Sequence, residues 1–196
     1  GIEKTLFFTS LITFPVLAGI ALLTPSLIQI FPRYSKWQPA LIALGIFCFS
    51  SAWAAVSTPL TNTLNALGRV KTNTWLMVMW TVLTWGLSPL LSIRYGYNGR
   101  AYAEGLIAFS SLVPIIIVSR LTGFSISRSV LKPLLATLVM LPVTFFLSVL
   151  LPANLYSLMV NVFLSGLVFS LVIFTLVGQS LVTDSLKMWH VLVKKK

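Results

Sequence analysis

The stretch TLFFTSLITFPVLAGIALLTPSLIQI, residues 5–30, has no charged side chain at any of its 26 positions. A helix satisfies its own backbone hydrogen bonds, so about 20 apolar residues in helical form cross the hydrocarbon core of a bilayer. A signal-peptide core is only about 7–15 residues long, and no small-residue cleavage pattern follows this run. The stretch therefore predicts a membrane-spanning helix.

Five further stretches have the same character, and together they predict an all-α membrane protein with six transmembrane helices. The predicted spans are residues 5–30, 39–66, 72–93, 101–119, 134–151 and 155–177. The chain is 57% hydrophobic and only 9% charged, whereas soluble proteins average about 25% charged residues. All spans but the last contain an internal proline, which removes one helix hydrogen bond and favours a kink.

The charged residues lie between the spans rather than on one basic face. The chain has 14 basic and 3 acidic residues, and their scattered distribution excludes a nucleic-acid-binding surface. Short cytoplasmic loops retain Lys and Arg. One side has ten of them, at positions 4, 69, 71, 120, 128, 132, 187 and 194–196, and the other has four, at 33, 36, 94 and 100. Both ends of this multi-pass chain are therefore predicted to lie in the cytoplasm, in a cell (inner or plasma) membrane.

Two polar stretches are predicted on the cytoplasmic face. Residues 121–133 are predicted to be a linker that runs laterally between the fourth and fifth spans. The tail, residues 178–196, places Val182, Leu186, Trp189 and Val193 on one helix face and ends in lysines. This spacing predicts an interfacial amphipathic helix whose basic end attracts anionic headgroups. A disordered tail is the alternative.

Residues suited to catalysis are scarce, so we expect this protein not to be an enzyme. Its acids, Glu3, Glu104 and Asp184, are far apart in the sequence, and its single histidine, His190, is in the tail. The sequence has no carboxylate pair, metal-ligand set, phosphate-binding loop or nucleophile motif. We accordingly expect neither a metal nor another cofactor.

Polar residues inside the second span form the candidate substrate-binding site. Thr58, Asn62, Asn65 and Arg69 recur at i, i+4, i+7 and i+11, which predicts one stripe on the cytoplasmic half of that helix. A polar stripe at membrane depth faces either a cavity or a neighbouring helix, and the spacing fits both. Arg69 also fits an ordinary positive charge on the cytoplasmic side.

The fourth span carries the only acid that lies within a predicted span. Glu104 follows Arg100 by one helical turn, which predicts an ion pair between them at the outer interface. A carboxylate that binds a coupling ion is the alternative for Glu104.

The connections between spans resemble those of a known transporter family. Residues 62–69, Asn-Thr-Leu-Asn-Ala-Leu-Gly-Arg, are similar to the N-x-x-x-A-x-G-[RK] helix end of polysaccharide-exporting flippases. Residues 95–101, Tyr-Gly-Tyr-Asn-Gly-Arg-Ala, are similar to the Y-G-x-x-G-A-A turn of the same proteins. The connection 27–40, with Tyr34, also matches their usual pattern. On these residues the chain resembles the polysaccharide/O-antigen flippases of the multidrug/oligosaccharidyl-lipid/polysaccharide exporter superfamily.

The resemblance implies a partial second lobe of a MATE-like exporter plus two additional C-terminal helices. Residues 1–120 would be four helices of that lobe, 121–133 the linker, 134–177 the additional pair and 178–196 the cytoplasmic tail. The chain would be the C-terminal part of a longer protein whose N-terminal lobe is missing. By the same resemblance, the intact protein would flip a lipid-linked oligosaccharide of polyprenyl pyrophosphate type to the outer leaflet by alternating access. Its sugar and pyrophosphate would occupy a polar cavity, and its polyprenyl chain would stay in lipid or along the additional helices.

Other functions fit the same residues. A MATE-type multidrug or cation antiporter has a similar fold and would need membrane-embedded acids, of which this chain has only the interfacial Glu104. A membrane-embedded glycan polymerase would need a longer, arginine-rich outer loop. A noncatalytic membrane subunit would need none of these features.

Overall fold

A computed structural model describes residues 1–193, with the side chains of residues 1–178 apart from Arg128. The described residues form seven α-helices and two 3-10 segments, without a β-strand. The helices are α1 (Ile2–Ile30), α2 (Leu41–Ala66), α3 (Val70–Tyr95), α4 (Tyr97–Ala108), α5 (Leu112–Thr122), α6 (Ile126–Leu150) and α7 (Leu155–Val193), and the 3-10 segments are Pro32–Ala40 and Phe109–Ser111. The all-α prediction is confirmed.

Six helical stretches of the described chain are long and apolar enough to cross a membrane. They are Ile2–Ile30, Pro32–Ala66, Val70–Tyr95, Tyr97–Thr122, Ser129–Leu150 and Leu155–Gly178. The fourth is composite, because α4, the Phe109–Ser111 segment and α5 follow one another without a loop. The number of predicted spans is therefore confirmed, and the chain is a multi-pass membrane protein.

Helix α1 packs against both α2 and α6. Helix α7 packs on α6 and reaches α1, while α4 lies between α2 and α3. The main buried cluster joins Leu6 and Phe14 of α1 to Leu60 and Leu64 of α2 and to Val118 of α5. A smaller cluster joins α6 to α7, with Ala136, Met140, Phe169 and Ile173 at its centre. Helix α1 thus joins α2 on one side to α6 and α7 on the other.

The predicted linker at 121–133 is mostly helical. Helix α5 ends at Thr122, where Gly123 turns the chain at φ +67°, and α6 already begins at Ile126. The side chain of Phe124 is buried in the main cluster, and Ser125 N donates a hydrogen bond to Glu3 Oε1 at 3.3 Å. Only residues 123–125 of this stretch lie outside a helix, and α6 starts eight residues earlier than the fifth predicted span. The lateral course predicted for 121–133 stays a prediction.

The boundary predicted between the sixth span and the tail does not interrupt the helix. Helix α7 is continuous from Leu155 to Val193. The side chains that define the predicted amphipathic face, together with His190 and residues 194–196, lie outside the described part of the chain. That interfacial helix stays a prediction.

The fourth span breaks just before its proline. Pro114 has no N–H to give to the carbonyl of Ser110, and its ring crowds that carbonyl. The chain tightens there into the 3-10 segment Phe109–Ser111. Trp80 Nε1 of α3 donates to Ser110 Oγ at 2.8 Å, so a part-buried indole N–H finds its partner at the break.

The glycines of residues 62–69 and 95–101 have separate structural roles. Gly68 has φ +72° and Gly96 has φ +61°, a region that residues with a Cβ rarely adopt; they turn the chain between α2 and α3 and between α3 and α4. Gly99 lies against the backbone of Leu91, with no room for a side chain. The glycines of these motifs therefore permit the turns and the close helix contact.

Cysteine labelling tests the predicted orientation. Tyr97 at the start of α4 and Leu121 at the end of α5 are exposed, and they lie at opposite ends of the fourth span. In a Cys48→Ala background, we expect an impermeant maleimide applied to intact cells to label Tyr97→Cys and to leave Leu121→Cys unreacted. The opposite labelling pattern would invert the topology.

Candidate functional site

A polar groove lies between the first half of α1 and the second half of α2. Its volume is about 710 Å³, within the range of about 300–1,000 Å³ that is usual for ligand pockets. The polar side chains that line it are Thr5, Thr9 and Thr13 of α1 and Ser51, Thr58, Asn62 and Thr63 of α2. Its lining contains no charged side chain.

The threonines of α1 are functional candidates that the sequence analysis missed. Thr5, Thr9 and Thr13 are spaced by four residues, so they share one helix face. Within the described chain their hydroxyls form no hydrogen bond, which leaves each hydroxyl free to donate and to accept. The T-x-x-x-T-x-x-x-T spacing was visible in the sequence, but a threonine can also bond its own backbone, so the spacing alone does not identify a groove.

The α2 side of the groove offers mainly acceptors. Thr58 Oγ1 donates to Ala54 O and Thr63 Oγ1 donates to Pro59 O, each at 2.8 Å. Because these protons are used by the helix backbone, the two hydroxyl oxygens present lone pairs to the groove. Asn62 adds an amide with both donors and an acceptor. The groove is therefore uncharged and can bind a ligand through both hydrogen-bond donors and acceptors.

The structure divides the predicted stripe on the second span into two parts. Thr58 and Asn62 line the groove, whereas Asn65 and Arg69 do not. Asn65 Oδ1 accepts a hydrogen bond from Asn73 Nδ2 at 2.9 Å, so it links the end of α2 to α3. Arg69 is exposed and occupies the N-cap position of α3, without a capping hydrogen bond from its side chain. Arg69 leaves the stripe because α2 ends at Ala66 and Gly68 turns the chain, so position 69 no longer follows the spacing of that helix.

Arg100 and Glu104 form an ion pair, with Nη2 and Oε1 2.5 Å apart. Arg100 Nη1 also donates to Ser88 Oγ of α3 at 2.8 Å. The arginine therefore joins α4 to α3 through a hydroxyl while it neutralises the carboxylate. Neither residue lines the polar groove.

An apolar groove of about 490 Å³ lies between α1, α6 and α7. Val16, Ile20, Leu23 and Leu27 of α1 form one wall, and the other walls include Met140 and Thr144 of α6 and Leu158, Val162 and Ser165 of α7. The lining is almost entirely hydrocarbon, so this groove suits an alkyl or prenyl chain.

The two grooves share one face of α1. Residues 5, 9, 13, 16, 20, 23 and 27 succeed one another at intervals of three and four, the spacing of a single helical stripe. Hydroxyls occupy that stripe up to Thr13, and hydrocarbon side chains occupy it from Val16 onward. The face therefore changes from polar to apolar near Pro15, about halfway along the span.

A buried polar network holds α7 on α6 beside the apolar groove. Asn161, which is 2% exposed, donates from Nδ2 to Thr144 O at 3.2 Å and accepts from Ser165 Oγ at 3.0 Å. Thr144 Oγ1 donates to Ser165 Oγ at 2.8 Å. In hydrocarbon such polar groups need hydrogen-bond partners, and these three residues provide partners for one another.

Comparisons with protein-family models, with curated proteins and with solved structures found no match to this chain. Among the described residues, no three or more His, Cys, Asp or Glu side chains come together in a group that could hold a metal ion.

Proposed function

We propose that this chain is the C-terminal part of a membrane transporter that flips a lipid-linked oligosaccharide of polyprenyl pyrophosphate type from the cytoplasmic to the outer leaflet. The observation that carries the proposal is the single face of α1 that lines a hydroxyl-rich groove and then an apolar one. An amphiphilic lipid likewise has a polar headgroup joined end to end to a hydrocarbon chain. Its sugar would occupy the polar groove, and its hydrocarbon chain would lie in or along the apolar groove.

The chemistry of the polar groove suits the sugar better than the pyrophosphate. Sugar hydroxyls donate and accept hydrogen bonds, as do the free hydroxyls of Thr5, Thr9 and Thr13. A pyrophosphate would instead favour a cationic partner. Arg69 and Lys71 begin α3 at the end of the bundle where α2 ends, so the pyrophosphate would bind there, outside the groove itself.

The polar groove is open along α1 and α2, and Thr58 and Asn62 are exposed. An open half-site suits a mechanism in which a second lobe completes the cavity and rocks about it. In this proposal the partners are the N-terminal lobe of the same protein and the membrane lipids, both ends of the chain are cytoplasmic, and the protein transports without catalysing a reaction. Glu104 is paired with Arg100, an arrangement that favours a structural role over coupling-ion binding.

Transport of a lipid-linked oligosaccharide by the complete protein in vesicles tests this proposal. Asn62→Leu removes the amide at similar size, and we expect about tenfold slower transport, since a lost polar contact of about 1.4 kcal/mol is a factor of ten. Thr9→Val replaces one hydroxyl by a methyl group, so we expect a smaller, roughly threefold loss. Because both side chains face a groove, the thermal stability of both variants should match that of the wild type.

Thr81→Val is the matched control. Thr81 is exposed on α3, and its hydroxyl bonds only to Met77 O of its own helix. We expect this variant to transport at the wild-type rate. Wild-type transport by both groove variants, or a loss of transport that follows a loss of stability, would remove the groove from the transport path.

A further inference from the structure

The connection between α1 and α2 is an unusually long 3-10 segment. It covers nine residues, Pro32–Ala40, and none of them is buried, whereas 3-10 runs longer than three or four residues are uncommon. Side chains three residues apart eclipse each other in this geometry. The segment therefore sorts its side chains into three faces.

The first face borders a crevice of about 270 Å³. Pro32, Ser35 and Gln38 recur at intervals of three, and all three line it. The remaining lining comes from Pro25, Ile28 and Gln29 of α1 and from Leu41 of α2. The side chains of Gln29, Ser35 and Gln38 form no hydrogen bond within the described chain, so the rim of this crevice has unused amide and hydroxyl groups above an apolar floor.

The second face is cationic. Arg33 and Lys36 are three residues apart and exposed. The acid at this end of the bundle is Glu104, which is paired with Arg100. In the described part of the chain neither cation of this face pairs with a carboxylate, and the two are positioned to meet an anion together.

The third face is aromatic. Tyr34 and Trp37 are 47% and 57% exposed, and Lys36 Nζ lies 5.9 Å from the centroid of the Trp37 ring. Exposed Tyr and Trp side chains settle at the headgroup level of a bilayer. The aromatic face therefore sets the depth of the segment, and the neighbouring cations come to the level of the lipid phosphates.

We propose that Pro32–Ala40 and the last turns of α1 form a binding site for the headgroup of an acidic phospholipid. Arg33 and Lys36 bind the phosphate, and the amides and hydroxyl at the crevice rim bind the glycerol and ester oxygens. The acyl chains leave over the aromatic face into the bilayer. This site lies at the opposite end of α1 from the polar groove and is independent of the proposed transport function.

Native mass spectrometry of the 196-residue chain, titrated with phosphatidylglycerol or phosphatidylcholine, tests the site. We expect phosphatidylglycerol to bind more tightly than phosphatidylcholine. In Arg33→Gln/Lys36→Gln the affinity for phosphatidylglycerol should fall about thirtyfold (about 2 kcal/mol), since each basic residue at a charged lipid surface contributes about 1 kcal/mol. The charge-conserving Arg33→Lys/Lys36→Arg variant should retain most of the binding.

Arg94→Gln is the control for charge at the same end. Arg94 lies 5.8 Å from the Tyr95 ring and does not line the crevice. Its replacement should therefore leave the affinity for phosphatidylglycerol unchanged. Equal melting temperatures of all variants in phosphatidylcholine will show that they are folded. Unchanged affinity in the double glutamine variant, an equal loss in Arg94→Gln, or displacement of the lipid by inorganic phosphate at a similar concentration would overturn the proposal.

Discussion

With Gly99→Ala, we expect most of the protein molecules to fail to fold. Gly99 lies in the first turn of α4, and a Cβ there would overlap the carbonyl oxygen of Leu91 in α3. A backbone carbonyl cannot rotate away as a side chain does, so α4 would have to move. That movement would break the hydrogen bond from Arg100 to Ser88 and disturb Ala101, which is fully buried. We expect a loss of about 3–5 kcal/mol of stability.

Thermal unfolding in detergent and the yield of monodisperse protein measure this effect. Gly45→Ala in α2 and Gly86→Ala in α3 are the matched controls, because a Cβ at either position meets no atom within 4 Å. Alanine also favours a helix over glycine by roughly 1 kcal/mol, so these two variants should be as stable as the wild type or slightly more so. If Gly99→Ala and the controls have the same melting temperature, Gly99 of α4 does not lie against the backbone of Leu91 in α3.

Asn161→Leu is expected to cost about 2–3 kcal/mol of stability and to loosen α7 from α6. The substitution keeps the size of the side chain but removes the amide that bonds Thr144 O and Ser165 Oγ. The hydroxyl of Ser165 is then left in a buried site with one partner fewer, and an unsatisfied buried polar group costs about 1–3 kcal/mol. Measured interhelical hydrogen bonds in membranes contribute roughly 0.6–2 kcal/mol each.

Ser170→Ala on the same helix controls for the loss of a polar group. Its hydroxyl is exposed and bonds only to Gly166 O of its own helix, so we expect no change in melting temperature. Ser165→Ala should fall between the two, because Asn161 keeps its bond to Thr144 O. A melting temperature for Asn161→Leu equal to that of Ser170→Ala would show that the network does not hold α7 in place.

The polar stripe on the second span shows how far helical spacing alone can predict a site. The spacing fits either a cavity wall or a contact with a neighbouring helix, and in the structure Thr58 and Asn62 line the polar groove. Asn65 fits the alternative that it bonds a neighbouring helix, since it bonds Asn73. The spacing that puts Arg69 on the same face assumes an uninterrupted helix. The positive φ of Gly68 ends that helix before the arginine.

Helix boundaries are the other point at which local sequence and structure differ. The serine- and arginine-rich residues after the fourth span predict a linker at 121–133. In the structure, Phe124 is buried in the main cluster and α6 begins at Ile126. Local polarity predicts a segment at the membrane surface, whereas the structure buries the Phe124 side chain within it. The break at Phe109–Ser111 was easier to anticipate, because Pro114 acts on the turn immediately before it.

The sequence by itself determined that this is an all-α, six-span membrane protein, because length and hydropathy are local properties and hydrocarbon requires each span to satisfy its own backbone. It also placed the ion pair of Arg100 and Glu104, since one helical turn brings two side chains together. Only the tertiary structure decided that Thr5, Thr9 and Thr13 of α1 complete a groove with α2, and that the same face continues into an apolar groove with α6 and α7. A groove needs two helices, and which faces meet depends on packing between residues far apart in the chain.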